Sequence, residues 1–264
     1  MNYDPSESHL IMSHLNLQEV NNFISLVVQQ AKQYPIVYKY LTYESGCLML
    51  KNNNIQFTRG DMLNDLDDLN ISKFDIQRPQ RILEEVGIEK DIIESKFNEH
   101  TDSFKFFGIC SLGCSPTNRV LWQRYSSNPD GLQDGICIGL NQRRVINYFI
   151  HQQNLKTACI KVRYVDETTG RISWMLKDAD KAEKIFKGYQ FFALKKADPW
   201  ASEDEIRLLY TQIMKERYCR STLPKDCFER VYYGPNMNIS QKKELGRIIS
   251  QNLPKISRFP LHMF

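Results

Sequence analysis

The chain predicts an α+β fold, and three observations lead there. Segments rich in β-branched and aromatic residues, such as 36–41 and 230–233, stand apart from segments whose apolar residues recur at helical spacing. The two kinds interleave irregularly, without the regular alternation of a doubly wound parallel sheet. No internal repeat, low-complexity tract or heptad run imposes another architecture. At 264 residues, 42% of them apolar and 25% charged, the chain is long enough to bury a substantial core as one large domain or two small ones.

Leu17, Val20, Phe23, Ile24, Val27 and Val28 mark a helix over 16–33 that Pro35 ends, so residues 1–35 read as an N-terminal helical extension. Residues 36–264 then read as a single α+β domain. Ile36–Leu41 is a strand, Tyr43–Lys51 a short helix, and Asn52-Asn53-Asn54 a turn into a second strand at Ile55–Thr58. The polar, acidic stretch 60–103, with one amphipathic helix near 79–98, reads as an insertion or lid. Strands follow at 106–111 and 135–140, separated by a helix over 119–125 and the loop 126–131. A helix over 141–153 leads to a strand at 158–164, and a long helix over 178–195 precedes the strand that carries Glu205. A last strand, 230–233, ends at Gly234-Pro235, and a polar helix begins near Asn238 with Ser240 as its cap.

The longest apolar runs, such as 23–28, are far short of a membrane span, and Met1–Pro5 lacks the pattern of a secretory signal. A cytoplasmic setting without membrane association is therefore expected. Seven cysteines, an odd number without framework spacing, fit reduced thiols. Cys110 and Cys114 form one close pair, but no second pair or histidine cluster completes a zinc site, so no metal is expected. A formal charge of +4 is too small to argue for nucleic acid by itself.

The candidate site lies in Trp200–Tyr210. Glu203 and Glu205, two apart before an apolar run, would share one face of a strand entrance, with Arg207 continuing the row and Ile206 and Leu208 facing the core. The plainer alternative is a solvated strand face, or salt bridges to Arg207. Trp122 and Tyr125, at i and i+3, would present one aromatic face, either as a shelf for a planar ring or as core. Lys39, between Tyr38 and Tyr40, alternates out of an apolar strand toward a ligand or toward water.

Several blocks resemble a bacterial family catalogued as domain-of-unknown-function family 2971. They are Val37-Tyr38-Lys39-Tyr40, Ile55-Gln56-Phe57-Thr58 with Leu63-Asn64-Asp65, Leu121–Tyr125 with Gly135–Ile138, Lys195–Arg207, and Val231–Gly234. They run in the family's order over residues 36 to 240. The family's Asn-Asp-Pro is here Asn64-Asp65-Leu66, without the proline. The layout is also similar to that of ADP-ribosyltransferases: a polar residue on an early strand, an aromatic middle and a late Glu-x-Glu strand. That resemblance implies a split β-sheet or β-sandwich with flanking helices, NAD as substrate and an unknown macromolecular acceptor. It further implies Glu205 as the catalytic carboxylate with Glu203 assisting, and Lys39, Tyr38, Trp122, Tyr125 and Arg207 on the NAD side. No Ser-Thr-Ser signature follows the middle strand region, a departure from that plan. A bacterial toxin or phage-defence role is what the resemblance implies.

The residue types suit such chemistry. Cleaving the nicotinamide–ribose bond passes through an oxocarbenium-like state, which a fixed carboxylate stabilises. Glu203 would orient or deprotonate the acceptor, and Arg207 or Lys39 would meet the pyrophosphate. Two rival readings stay open. In a magnesium-dependent nuclease, Asp65, Asp67 or Asp68 would join Glu203 and Glu205, with Lys161 activating water. In a non-enzymatic binding or sensor module, the acidic stretch 61–68 and the basic tail 242–258 would be partner surfaces.

Overall fold

The computed structural model describes residues 31–63, 106–151, 159–165, 194–196 and 199–260 other than 211 and 213, together with residues 25, 29 and 157. Residues 25, 29 and 31–33 are helical, and the chain then turns at Tyr34-Pro35 into β1 (Ile36–Leu41). The helices expected at 79–98 and over 178–193 lie outside the described residues, as do Asn64, Asp65, Asp67 and Asp68.

After β1 come α1 (Tyr43–Asn52) and β2 (Asn54–Arg59). Thr42 caps α1 by accepting from the Ser45 amide, and Asn53 closes it in the left-handed region at φ 49°. Asparagine tolerates that conformation better than most residues, which is why the triple-asparagine turn works. The middle of the chain gives β3 (Gly108–Gly113), α2 (Arg119–Tyr125), β4 (Ile136–Asn141) and α3 (Gln142–His151). Short strands β5 (Cys159–Lys161), β6 (Arg163–Val165) and β7 (Leu194–Lys196) lead to β8 (Glu205–Tyr210). The last elements are β9 (Tyr218–Thr222), β10 (Phe228–Tyr233), α4 (Ile239–Asn252) and β11 (Ser257–Pro260).

Among the described residues the fold is mixed α and β, built on one large, mostly antiparallel sheet with few helices. Its strands run β11-β10-β4-β1-β3-β2-β9, with β8 and then β5 added beside β3. The β10–β11 pair is parallel, as is the separate β6–β7 pair. Strand β3 is the junction. Along one edge it pairs with β8 from Gly108↔Tyr210 to Gly113↔Glu205. On its other edge, β1 meets it at Gly113 and β2 meets it at Gly108 and Ile109. Between those points β1 and β2 diverge, so the sheet forks. Lys39 fills part of the fork by donating from Nζ to the Ser111 carbonyl at 3.0 Å. That bond satisfies a backbone acceptor that a continuous ladder would otherwise use.

The pleat of β1 divides two cores. Val37 belongs to the larger one, with Leu50 of α1, Ile138 of β4, Phe149 of α3, Ile206 and Leu208 of β8, and Ile249 of α4. Tyr38 and Tyr40 belong to the smaller one, with Leu121 and Trp122 of α2 and Cys137 of β4. All seven cysteines are free. Among the described residues, no helix is long and apolar enough to cross a membrane.

Three expectations are corrected, and two strands, β9 and β11, were not foreseen. The strand expected over 158–164 breaks at Val162, whose N–H donates to the Glu205 carbonyl; β5 joins the large sheet and β6 the small one. Residues 194–195, assigned to the end of a helix, are strand. Asn238, not Ser240, caps α4. Its side chain accepts the Gln241 amide while Gln241 returns a bond to the Asn238 amide, each at 2.9 Å. The glutamine three residues on completes a capping box and decides between the two caps. Strands β9 and β11 carry no period-2 apolar signal. β9 is a polar edge strand, and β11 is four residues ending in proline.

Candidate functional site

The two glutamates do not share a strand face. Residues 201–203 form a 3₁₀ turn, Asp204 adopts the left-handed conformation at φ 49°, and β8 begins only at Glu205. That kink sends the carboxylates to different partners. Glu203 accepts from Arg124 Nη1 and from the Tyr125 hydroxyl, both at 2.9 Å. Glu205 accepts from Arg207 Nε at 2.9 Å and Nη2 at 3.3 Å, as two residues on one strand face do. Glu203 and Glu205 are each 2% exposed and Arg207 1%, so these are buried charges and not a solvated face.

Helix α2 stitches the turn in place. Asn118 caps it by accepting from the Leu121 amide, and its Nδ2 donates to the carbonyls of Ser202 and Glu203 at 2.9 and 3.0 Å. The Arg124 guanidinium lies 5.0 Å over the Trp200 ring. From the other side, Lys161 Nζ reaches Asp204 Oδ1 at 2.6 Å and the Glu205 carbonyl at 3.1 Å. The Glu205 amide donates to the Tyr164 hydroxyl at 2.8 Å. An unusual backbone conformation persists when its surroundings over-determine it, as they do at Asp204.

The sheet register places Tyr38, Gly113 and Glu205 in one row across three strands. Their side-chain positions therefore share a face, with Tyr38 and Glu205 about 10 Å apart across two strand spacings. Gly113 leaves room between them that α2 occupies. A Cβ there would lie 2.7 Å from Leu121 Cδ1 and 3.0 Å from Tyr40 Cε2. Tyr40 donates to the Ser115 carbonyl and accepts from the Asn118 amide. Lys39 leaves the opposite face, at the fork.

The aromatic shelf of Trp122 and Tyr125 is not formed. Trp122 is fully buried, edge-on to Tyr40 at 5.6 Å between ring centroids, and its Nε1 donates to the Pro116 carbonyl at 2.7 Å. Tyr125 turns its hydroxyl to Glu203 instead. Among the described residues, no three His, Cys, Asp or Glu side chains gather as a metal site. Lys161, assigned to water activation in the nuclease reading, is paired with Asp204. Arg124, Asn118 and Tyr164 complete the site without having been singled out as site residues. The signal for Arg124 was its place one residue before Tyr125, on the helix face that meets the turn.

No family model matches the chain, and neither does any curated protein or solved structure.

Burial pushes the tyrosine hydroxyls here upward. Tyr40 and Tyr164 rise mainly by burial, and Tyr125 by burial and then by the Glu203 charge. Tyr38 and Tyr43 are each pushed up to about 12, burial first. An unfolded tyrosine ionises near 10, so the unfolded chain loses protons before the folded one. The stabilisation is whole below pH 10 and is lost as pH rises toward about 12. Urea midpoints are expected to fall over that window, together with the rise of phenolate absorbance on unfolding. A flat midpoint there would contradict the burial of these rings.

Proposed function

We propose that this chain is an ADP-ribosyltransferase-like enzyme that uses NAD, passing ADP-ribose to a macromolecule or to water, with Glu205 as the essential carboxylate. The supporting observation is the buried Glu205–Arg207 pair at the entrance of β8, beside the junction strand of a forked sheet. A carboxylate held without water is a strong electrostatic partner for the positive charge that develops on ribose when nicotinamide departs. Arg207 fixes its two oxygens, so no reorganisation is needed as that charge appears. Glu203, with Tyr125 and Arg124, is the candidate to receive a proton from the acceptor. Lys39 leaves the sheet face opposite Glu205 and donates to the Ser111 carbonyl, so it has no contact with an NAD held at Glu205 and is not the pyrophosphate partner expected from the sequence. Since Glu205 is covered, substrate access requires the 199–204 turn to move off α2.

The test is calorimetric titration of NAD, with nicotinamide release followed in parallel, on the wild type, Glu205→Gln and Glu205→Asp. The expected result is binding by all three and turnover lower by about 10²–10³ in Glu205→Gln, the scale of losing one transition-state electrostatic contact. Thermal melts show which variants stay folded; Glu205→Asp keeps the charge beside Arg207. Folded wild type that does not bind NAD overturns the proposal.

A further inference from the structure

A half-open pocket of about 190 Å³ lies between α4 and the β10–β11 edge, away from the carboxylates, with the exposed Lys242 and Arg258 at its rim. Its floor is Val231, Leu245 and Ile249, and its wall is the Tyr233 ring. Two cations face it. Lys242 Nζ lies 5.5 Å over the Tyr233 ring, and Arg258, paired in register with the buried Val231, extends across the same face. Arg258 Nη2 donates to Ser250 Oγ at 3.2 Å. Neither cation has a carboxylate partner among the described residues. Lys242 lies in line with the buried Leu245 and Ile249 but is itself exposed, so its stem borders the pocket while its ammonium stays in water, open to an incoming anion.

Gly246 is the second observation. It sits in the middle of a 14-residue helix, where glycine is less stable than alanine. A Cβ there would enter the cavity, 3.2 Å from Arg258 Nη1, the free end of a flexible side chain. Alanine would therefore fit at the cost of space, so what the glycine keeps open is the cavity itself.

We propose that this cavity binds a small organic anion, a carboxylate or phosphate monoester carried on a flat apolar body. An aliphatic cavity of about 150 Å³ holds benzene, so this one takes a single ring with a charged substituent. The ring lies on Val231, Leu245 and Ile249 beside Tyr233, and the anion meets Lys242 and Arg258. Apolar lining with a few convergent polar groups is the ordinary make-up of a small-molecule site.

The probes are phenyl phosphate, benzoate, inorganic phosphate and toluene, followed by amide chemical shifts of the full chain. Phenyl phosphate or benzoate is expected to move the amides of Tyr233, Gly246 and Arg258. Affinity is expected to fall at least about tenfold, the size of one charged contact, in Lys242→Met/Arg258→Met. Gly246→Ala is expected to raise the melting temperature while weakening binding, a pair of opposite signs that a purely structural glycine would not give. The inference is overturned if neither organic anion binds the folded protein, or if the double variant binds equally well. It is also overturned if toluene or inorganic phosphate binds as tightly as phenyl phosphate. These outcomes are independent of NAD use.

Discussion

Replacing Arg207 by leucine is expected to destabilise the protein by about 3–5 kcal/mol, the range for removing one partner of a buried ion pair. Arg207 is 1% exposed and Glu205 2%, so no water takes over from the guanidinium. The substitution leaves a carboxylate buried beside leucine, in β8, whose first five residues are all buried. The double variant Glu205→Gln/Arg207→Leu is expected to regain much of the loss, because the uncompensated charge is then gone. Urea denaturation of the wild type, both single variants and the double variant closes the cycle. A single-variant cost below about 1 kcal/mol, the range of exposed pairs, would mean that the pair is solvated in solution. The outcome bears on function as well. Buried ion pairs are often no more stabilising than apolar residues of the same volume. A pair that is costly to break but not needed for stability is compatible with the proposed role of Glu205, which only the NAD assay tests.

The site was half legible in the sequence. That Glu205 and Arg207 pair on one strand face follows from period 2, and it holds because β8 is a regular strand from Glu205 onward. Extending the same period back to Glu203 failed at Asp204. Aspartate reaches the left-handed region more readily than most residues, and one such residue cancels the alternation. The carboxylate that period 2 would have stacked on Glu205 instead belongs to α2, through Arg124, Tyr125 and Asn118. These contacts span 78 to 85 residues of sequence, beyond the reach of any local pattern.

The fold was legible where one face is buried and the other is not. Strand β1 and helix α1 lie within one residue of where pattern placed them, because proline and the asparagine turn bracket them. Helix α2 coincides with its expected span, set by the Asn118 cap. Polar edges were silent. The residues of β9 alternate between exposed and half-buried, so no apolar row announces a strand, and β2 recruits it through backbone pairing and the Arg220–Gln56 side-chain bond. The fork was also beyond sequence. It arises because β1 and β2 meet β3 at opposite ends of one edge, a matter of register between strands some 50 to 75 residues apart.

Trp122→Ala is expected to cost about 3–5 kcal/mol, as deletion of a large buried aromatic does. Trp122 is wholly buried, and its loss empties the space between α2 and the β1 tyrosines. It also leaves the Pro116 carbonyl without its indole donor. Trp122→Phe keeps a ring against Tyr40 and forgoes that bond, so its expected cost is smaller, about 1–2 kcal/mol. The two variants separate core from ligand shelf. If NAD is the ligand proposed above and Trp122 only supports α2, the phenylalanine variant, compared as folded protein, is expected to bind it as the wild type does. The alanine variant then loses binding only as far as it unfolds, because α2 no longer holds the 199–204 turn and Glu203 through Asn118 and Arg124. If Trp122 stacked on the substrate, the alanine variant would lose affinity while still folded. Denaturation curves and NAD titrations on the same samples decide between them, and the burial of the indole favours the supporting role.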